Sequence, residues 1–224
     1  MNASDVMVRN VITIGPKALV SEAAKLLSEN DISAVPVIDE QGNVAGILSE
    51  ADLMRREEIG TEKKHYGWLE AVMPATMLAE EFAHSHGKKV EEVMSKHVVS
   101  AKPDTPLGEI ATLLERNRIK RVPIIEQGKI VGIVSRANLV QALASASSAV
   151  TETADADRAI RLEILSRLAD QSWTDFGDRN VTVVDGEAHI WGLVGSPEER
   201  TALTALAESV PGVIGVKDEM FPAY

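Results

Sequence analysis

Residues 6–55 read VMVRNVITIGPKALVSEAAKLLSENDISAVPVIDEQGNVAGILSEADLMR, and residues 93–141 read VMSKHVVSAKPDTPLGEIATLLERNRIKRVPIIEQGKIVGIVSRANLVQ. Met7 matches Met94, Ile32 matches Ile119 and Pro36 matches Pro123 at one constant offset. A single-residue contraction in the following turn then brings Gly46 onto Gly132 and Ser49 onto Ser135. Agreement along both stretches with one indel marks an internal duplication, in which one supersecondary unit is used twice.

Each copy carries the same local signals. A short extended segment, 11–14 or 98–101, precedes a helix whose apolar residues recur at three- and four-residue spacing: Ala23, Leu26 and Leu27, then Leu107, Ile110, Ala111 and Leu114. Thr105 and Pro106 read as N-cap and first-turn residue of the second of these helices. Two β-rich runs follow in each copy, 34–38 with 44–48 and 122–125 with 130–134, around turns that contain Gly42 and Gly128. Each second run leads into a helix at Ser49 or Ser135. The predicted unit is β-α-β-β-α, too small to build a large core alone, so two copies are expected to pack together. The segment between them is charged, with Trp68, Leu69, Val72, Met73, Leu78 and Phe82 as apolar anchors, and reads as a helical insertion.

The tail of the chain has a different pattern. Residues 144–154, ASASSAVTETA, are small and polar and read as a linker once the preceding helix has run out. Ile160, Ile164, Leu165 and Leu168 then mark a helix, 180–185 and 188–194 two strands around Gly186, Ser196-Pro197-Glu198-Glu199 a capped second helix, and 213–217 a last strand. This α-β-β-α-β order predicts a three-stranded sheet with both helices on one side. The expected domains are 1–56 and 93–143 for the repeats, 57–92 for the insertion, 144–154 for the linker and 155–224 for the C-terminal domain. The fold class is α/β for the repeats joined to α+β.

Composition narrows the function classes. The chain has 224 residues, 23 Lys and Arg against 34 Asp and Glu, a formal charge of −11, and no cysteine. Such a balance argues against sequence-independent nucleic-acid binding, and the lack of cysteine removes disulfides, thiolate metal sites and cysteine nucleophiles. No signal-like N-terminus and no apolar run of membrane-spanning length is present, so a cytoplasmic protein is expected. His84 and His86 are the only close histidine pair; two residues apart on a helix they do not face one way, and no metal site is expected. No nucleophile elbow, phosphate-cradling loop or dinucleotide fingerprint occurs. The expectation is a protein that is not an enzyme, with no catalytic residue and no cofactor.

The strands SAVPVID and KRVPIIE and the strand-to-helix motifs GILSEAD and GIVSRAN resemble a pair of cystathionine-beta-synthase (CBS) domains, a Bateman module, over about residues 4–143. The resemblance implies an adenosine-containing ligand, AMP, ADP, ATP or S-adenosylmethionine, in clefts of the pair, and a homodimer of modules. It puts Ser49 on the ligand's phosphate and Asp52 on its ribose, with Val35 and Pro36 along the adenine. In the second copy the matching residues are Ser135, Asn138, Val122 and Pro123, and Thr13 and Ser100 match near the first strands. The physics agrees with either of two uses. A hydroxyl at a helix start can hold an anion and an ionised carboxylate can accept two ribose hydroxyl bonds, but Ser49-x-x-Asp52 is also a capping box. The copies differ reciprocally: Asn138 stands where the first copy has Asp52, while Lys120 and Arg121 stand where it has Ser33 and Ala34. The second cleft is therefore expected to favour phosphate charge over ribose.

VTVVDGEAHIWGLVGSPEERTAL and AESVPGVIGV resemble a BON domain, a family linked to phospholipid surfaces and envelope attachment. Residues 155–224 carry six Lys and Arg against thirteen Asp and Glu, which opposes binding to anionic lipid. Trp173 and Trp191 read as packing residues, and a protein partner is the expected use of the domain. Two functions follow: a regulatory sensor of an adenosyl ligand with a partner- or envelope-docking tail, or a structural adaptor that dimerises through its repeats and binds nothing.

Overall fold

A computed structural model describes residues 1–62, 73–145, 154–174 and 180–223. Trp68, Leu69 and Val72 of the insertion, and residues 146–153 of the expected linker, lie outside the described residues. The chain divides into two compact units. One comprises residues 12–98 and 127–130; the other comprises 1–11, 99–126 and 131–224. The unit boundaries do not follow the sequence repeat, because each copy's leading segment is exchanged.

In the first unit, helix α2 (Val20–Glu29) packs on the hairpin of β1 (Ala34–Ile38) and β2 (Val44–Ser49). Their core holds Ala23, Leu27, Val35, Val37 and Leu48, and it is completed by Val90 and Val93 of the short α5 (Val90–Val93), which precedes the second copy in sequence. Ser95 and Ile47 exchange backbone bonds in both directions at 2.9 Å. The reason for the close approach is Gly46: a Cβ there would stand 2.6 Å from Met94 Sδ and 2.9 Å from the Ser95 carbonyl. Helix α3 (Glu50–Leu53) follows β2, and α4 (Ala75–His86) belongs to the insertion.

The second unit repeats this arrangement with the partners reversed. Helix α1 (Ala3–Val6) and Met7, from the start of the chain, share a core with α6 (Leu107–Arg116), β3 (Arg121–Glu126), β4 (Lys129–Ser135) and α7 (Arg136–Ser145). Val8 and Ile133 exchange backbone bonds at 2.9 Å, and Met7 fills the space above Gly132. The matched pairs Met7 with Met94 and Gly46 with Gly132 are thus crossed contacts, methionine of one copy against glycine of the other. The expected leading strands reduce to single parallel bridges, Ile14 with Val37 and Ala101 with Ile124.

The same unit contains the C-terminal domain. Helices α8 (Ala154–Ala169) and α9 (Pro197–Glu208) cover one face of the sheet β5 (Asn180–Val184), β6 (Glu187–Val194) and β7 (Gly215–Pro222), with β5–β6 antiparallel and β6–β7 parallel. Ile160, Ile164, Leu168, Leu203 and Ala207 meet Val181, Val183, Ala188, Ile190 and Met220 in its core. Gly212, at φ +94°, lets the turn before β7 lie on Ile160, which a Cβ would meet at 2.9 Å.

Three expectations need correction. Thr105 does not cap α6: Pro106 holds the cap position, and the Thr105 hydroxyl instead accepts from the Lys102 amide at 3.0 Å in the turn before it. Phe82 is not a buried anchor but 63% exposed, stacked on His86 at 3.8 Å between ring centres, because its side of α4 has no apolar layer over it. Trp173 is likewise 43% exposed, its indole N–H donating to Gln171. Trp191 is half-buried on the sheet face away from the helices and donates to Thr182 Oγ1 at 3.2 Å.

Candidate functional site

The residues singled out in each copy come together within one unit. In the first, Ile14 donates to the Pro36 carbonyl at 3.1 Å and accepts from Ile38 at 2.9 Å, which sets Thr13, exposed, beside Pro36. Ala34 lies opposite Ser49 in the β1–β2 register, and Val35 opposite Leu48. The Glu50 amide donates to the Ser33 carbonyl at 3.0 Å. Thr13, Val35, Pro36 and Ser49 are therefore grouped around β1. Proline fits there because its carbonyl serves Ile14 while the neighbouring residues carry the ladder.

Asp52 sits at the head of α3, half-buried. One oxygen, Oδ2, takes both the Ser49 amide at 2.8 Å and the Ser49 hydroxyl at 2.7 Å. Among the described residues the other, Oδ1, has His84 Nε2 at 3.9 Å, beyond hydrogen-bond range. The cap is real, and it uses half of the carboxylate.

The second copy has matching positions and a different outcome. Ala101 donates to the Pro123 carbonyl at 3.1 Å and accepts from Ile125 at 2.9 Å, which brings exposed Ser100 beside Val122 and Pro123. Arg136 donates to the Lys120 carbonyl at 3.2 Å, so Lys120 and Arg121 adjoin the start of α7. Asn138 Oδ1 accepts from the Ser135 amide at 2.8 Å and hydroxyl at 2.9 Å, as Asp52 does from Ser49. Its Nδ2, however, donates to Gln141 Oε1 at 3.1 Å. That oxygen also accepts from Asn180 Nδ2 at 3.2 Å, on the first strand of the C-terminal domain. Asn138 is 5% exposed, a side chain bonded at both ends.

Sequence reasoning missed the hub of this network, Arg161. It is 2% exposed and donates to the carbonyls of Val181 at 2.5 Å, Met7 at 2.8 Å and Ser4 at 3.1 Å, and to Asn180 Oδ1 at 2.9 Å. Asn180 Nδ2 also reaches the Val6 carbonyl at 3.0 Å. Burial, with Arg9 adding like charge, pushes the Arg161 guanidinium down to about 10, still charged at neutral pH. Around it, Arg158 pairs with Asp5 at 2.8 Å, and Ser145 and Thr182 hydroxyls meet at 2.7 Å. A signal existed: Asp157 and Arg161 stand at core spacing with Ile164 and Leu168, and charged residues on a buried stripe require partners. Asp157 finds its own in the amides of Asp185 and Gly186, at 2.9 and 2.8 Å, which hold the β5–β6 turn.

Arg56 was missed too. It is 4% exposed and bonds Glu58, the His84 carbonyl at 2.8 Å and the Gly87 carbonyl at 2.6 Å, tying the end of α4 to the repeat. The guanidinium holds the Glu58 carboxyl below its ordinary range. His86 lies 3.3 Å from Glu57, while His84 lies toward Asp52, so the histidine pair diverges. Among the described residues no group of three His, Asp or Glu is arranged to hold a metal, and no helix is long and apolar enough to cross a membrane.

Comparison with known proteins gives two families. The CBS domain model matches residues 3–58 and 90–145, and the BON domain model matches residues 156–220. The CBS domain-containing protein YhcV of Bacillus subtilis is 30% identical over 153 residues, covering 67% of this chain and 93% of its own. An uncharacterized protein of Methanocaldococcus jannaschii is 28% identical over 159 residues, covering 64% and 91%. Among solved structures, CBSX2 in complex with AMP aligns at TM-score 0.55 and 26% identity, over 64% of this chain and 96% of that one.

Proposed function

The chain belongs to the CBS domain family, with a BON domain behind the pair, and we propose from this that it is a regulatory module sensing an adenosine-containing ligand rather than an enzyme. The observation that carries the reading is the Ser49–Asp52 pair. Oδ2 of Asp52 is engaged by Ser49, and Oδ1 carries no hydrogen bond among the described residues. In this reading Oδ1 accepts the ribose hydroxyls, Ser49 meets the phosphate, Val35 and Pro36 bound the adenine, and Thr13 adds a polar contact. CBSX2, solved with AMP, supports an adenine nucleotide as ligand. ADP, ATP and S-adenosylmethionine remain in the same ligand class.

In the second copy Val122, Pro123, Ser100, Ser135 and Asn138 take the equivalent places, with Lys120 and Arg121 for phosphate. Asn138 is already committed to Ser135 and Gln141, so ribose recognition is weaker there, and polyphosphate ligands gain most from Lys120 and Arg121. The module pairs with a second copy through exposed Val140 and Leu143 of α7. The BON domain docks a protein partner in the cytoplasm.

Titration calorimetry of the full chain with AMP, ADP, ATP, S-adenosylmethionine and adenosine tests the proposal. Binding of at least one adenosyl ligand is expected. Asp52→Ala should weaken adenosine and ATP alike, and Arg121→Ala should weaken ATP by about 1–3 kcal/mol while sparing adenosine. No heat and no thermal shift at millimolar ligand would instead establish the structural adaptor, and nucleotide turnover lost in Asp52→Ala would establish an enzyme.

A further inference from the structure

A cavity of about 610 Å³ lies between the Met7–Asn10 segment and α8, both within the second unit. That volume falls in the range of about 300–1,000 Å³ typical of small-molecule sites. Leu162 and Leu165 form an apolar wall, and Arg9, Arg161, Ser166 and Asn180 bring polar groups to it. Leu162 is 39% exposed and Ser166 is exposed, so the space opens to solvent.

Its electrostatics are one-sided. Arg161 gives four of its five N–H groups to neutral acceptors, three carbonyls and the Asn180 amide oxygen, which leaves one N–H without a hydrogen-bond partner among the described residues, while Asp5 acts on the charge through space. Arg9 makes no hydrogen bond or ion pair among the described residues, and Glu126 acts on it only through space. Burial lowers both guanidinium pKa values, and the charge of Arg9 lowers that of Arg161 further. No carboxylate lines the cavity among the described residues, and no aromatic side chain stands there to stack on a base.

We propose that this cavity binds a small organic carboxylate with an apolar body, its head between Arg9 and Arg161 and its hydrocarbon on Leu162 and Leu165. A two-oxygen monoanion matches one spare N–H of Arg161 plus the fork of Arg9. A phosphate dianion would need more donors than these, and the leucine wall would leave it unsolvated. This site is separate from the adenosyl surfaces and does not depend on them. An occupant would bridge the BON domain's first helix to the Met7–Asn10 segment.

The test uses the full chain with octanoate, 1-octanol, octylamine, octyl phosphate and AMP in titration calorimetry and thermal melts. Octanoate should bind one to one and raise the melting temperature, with octanol and octylamine at least about tenfold weaker, the cost of one charge-assisted contact. Arg9→Gln removes an exposed side chain with no bond to lose; it should keep the fold and weaken octanoate about tenfold or more. Ser166→Trp, which fills the cavity, should abolish binding. Octanol as tight as octanoate, tighter binding of octyl phosphate, displacement by AMP, an unaffected Arg9→Gln variant, or no octanoate heat would each overturn the proposal.

Discussion

The heads of α3 and α7 show one sequence device put to two uses. Ser49 gives its amide and hydroxyl to one oxygen of Asp52; Ser135 gives the same two groups to the oxygen of Asn138. The first carboxylate keeps its second oxygen clear of hydrogen bonds among the described residues, whereas the second side chain turns a nitrogen to Gln141, and Gln141 meets Asn180 of the BON domain. A carboxylate at 138 has no proton to give, so the amide is the residue the interdomain network requires. The exchange of the acidic residue for Asn138, which reads in sequence as a weakened ribose site, coincides with a hydrogen-bond network that reaches the BON domain.

The sharpest break in that comparison comes from the two buried arginines. Arg161→Met would strand three carbonyls and the Asn180 oxygen in a buried setting. It should cost about 3–5 kcal/mol, since each stranded acceptor costs about 1–3 kcal/mol before relaxation. Arg56→Met in the first unit strands the carbonyls of His84 and Gly87 at the end of an exposed helix, and should cost roughly half as much. Urea denaturation of both variants measures the difference. A loss for Arg161→Met no larger than for Arg56→Met would mean the BON domain is not held through that side chain.

The repeats, their hairpins and the BON-like order were legible because apolar periodicity, turn glycines and duplication all act locally. The expected β5 and β6 spans differ from the observed Asn180–Val184 and Glu187–Val194 by a residue at most. The exchange of leading segments was not legible, since Met7 and Met94 align equally well whichever glycine they cover. Nor was the fate of Asn138, because Asn180, which shares the Gln141 oxygen with it, lies far along the chain and only the tertiary fold brings them together. Arg161 and Asp157 were informative oddities left unread, two charges on the stripe that also carries Ile164 and Leu168.

The exchanged segments provide the next contrast. Gly132→Ala should cost about 1–3 kcal/mol by overpacking, and every close atom it would meet belongs to the Met7 side chain. Gly46→Ala meets the Met94 side chain and also the Ser95 carbonyl, which a side-chain change cannot move. Thermal denaturation of double-mutant cycles should therefore find Met7→Ala strongly coupled to Gly132→Ala, offsetting most of its cost, and Met94→Ala only partly coupled to Gly46→Ala. Equal rescue in both cycles would show that the Ser95 backbone yields and that the two crossings are interchangeable.

The smallest effect isolates the chemistry of the two helix heads. Asp52→Asn keeps an oxygen for both Ser49 groups, so fold stability should change by less than about 0.5 kcal/mol. Asn138→Asp should cost about 1–2 kcal/mol. Its new carboxylate would be buried and would face Gln141 Oε1, oxygen against oxygen. Turning the Gln141 amide over would repair that contact only by presenting a nitrogen to Asn180 Nδ2, which now donates there at 3.2 Å. Gln141→Leu in the Asn138→Asp background would remove the facing oxygen but leave one Asn180 N–H without its acceptor, so it should recover only part of the loss. Chemical denaturation of the three variants decides the matter. If the two exchanges cost the same, Asn138 is no more committed than Asp52, and the two repeats must be treated as equivalent ligand sites.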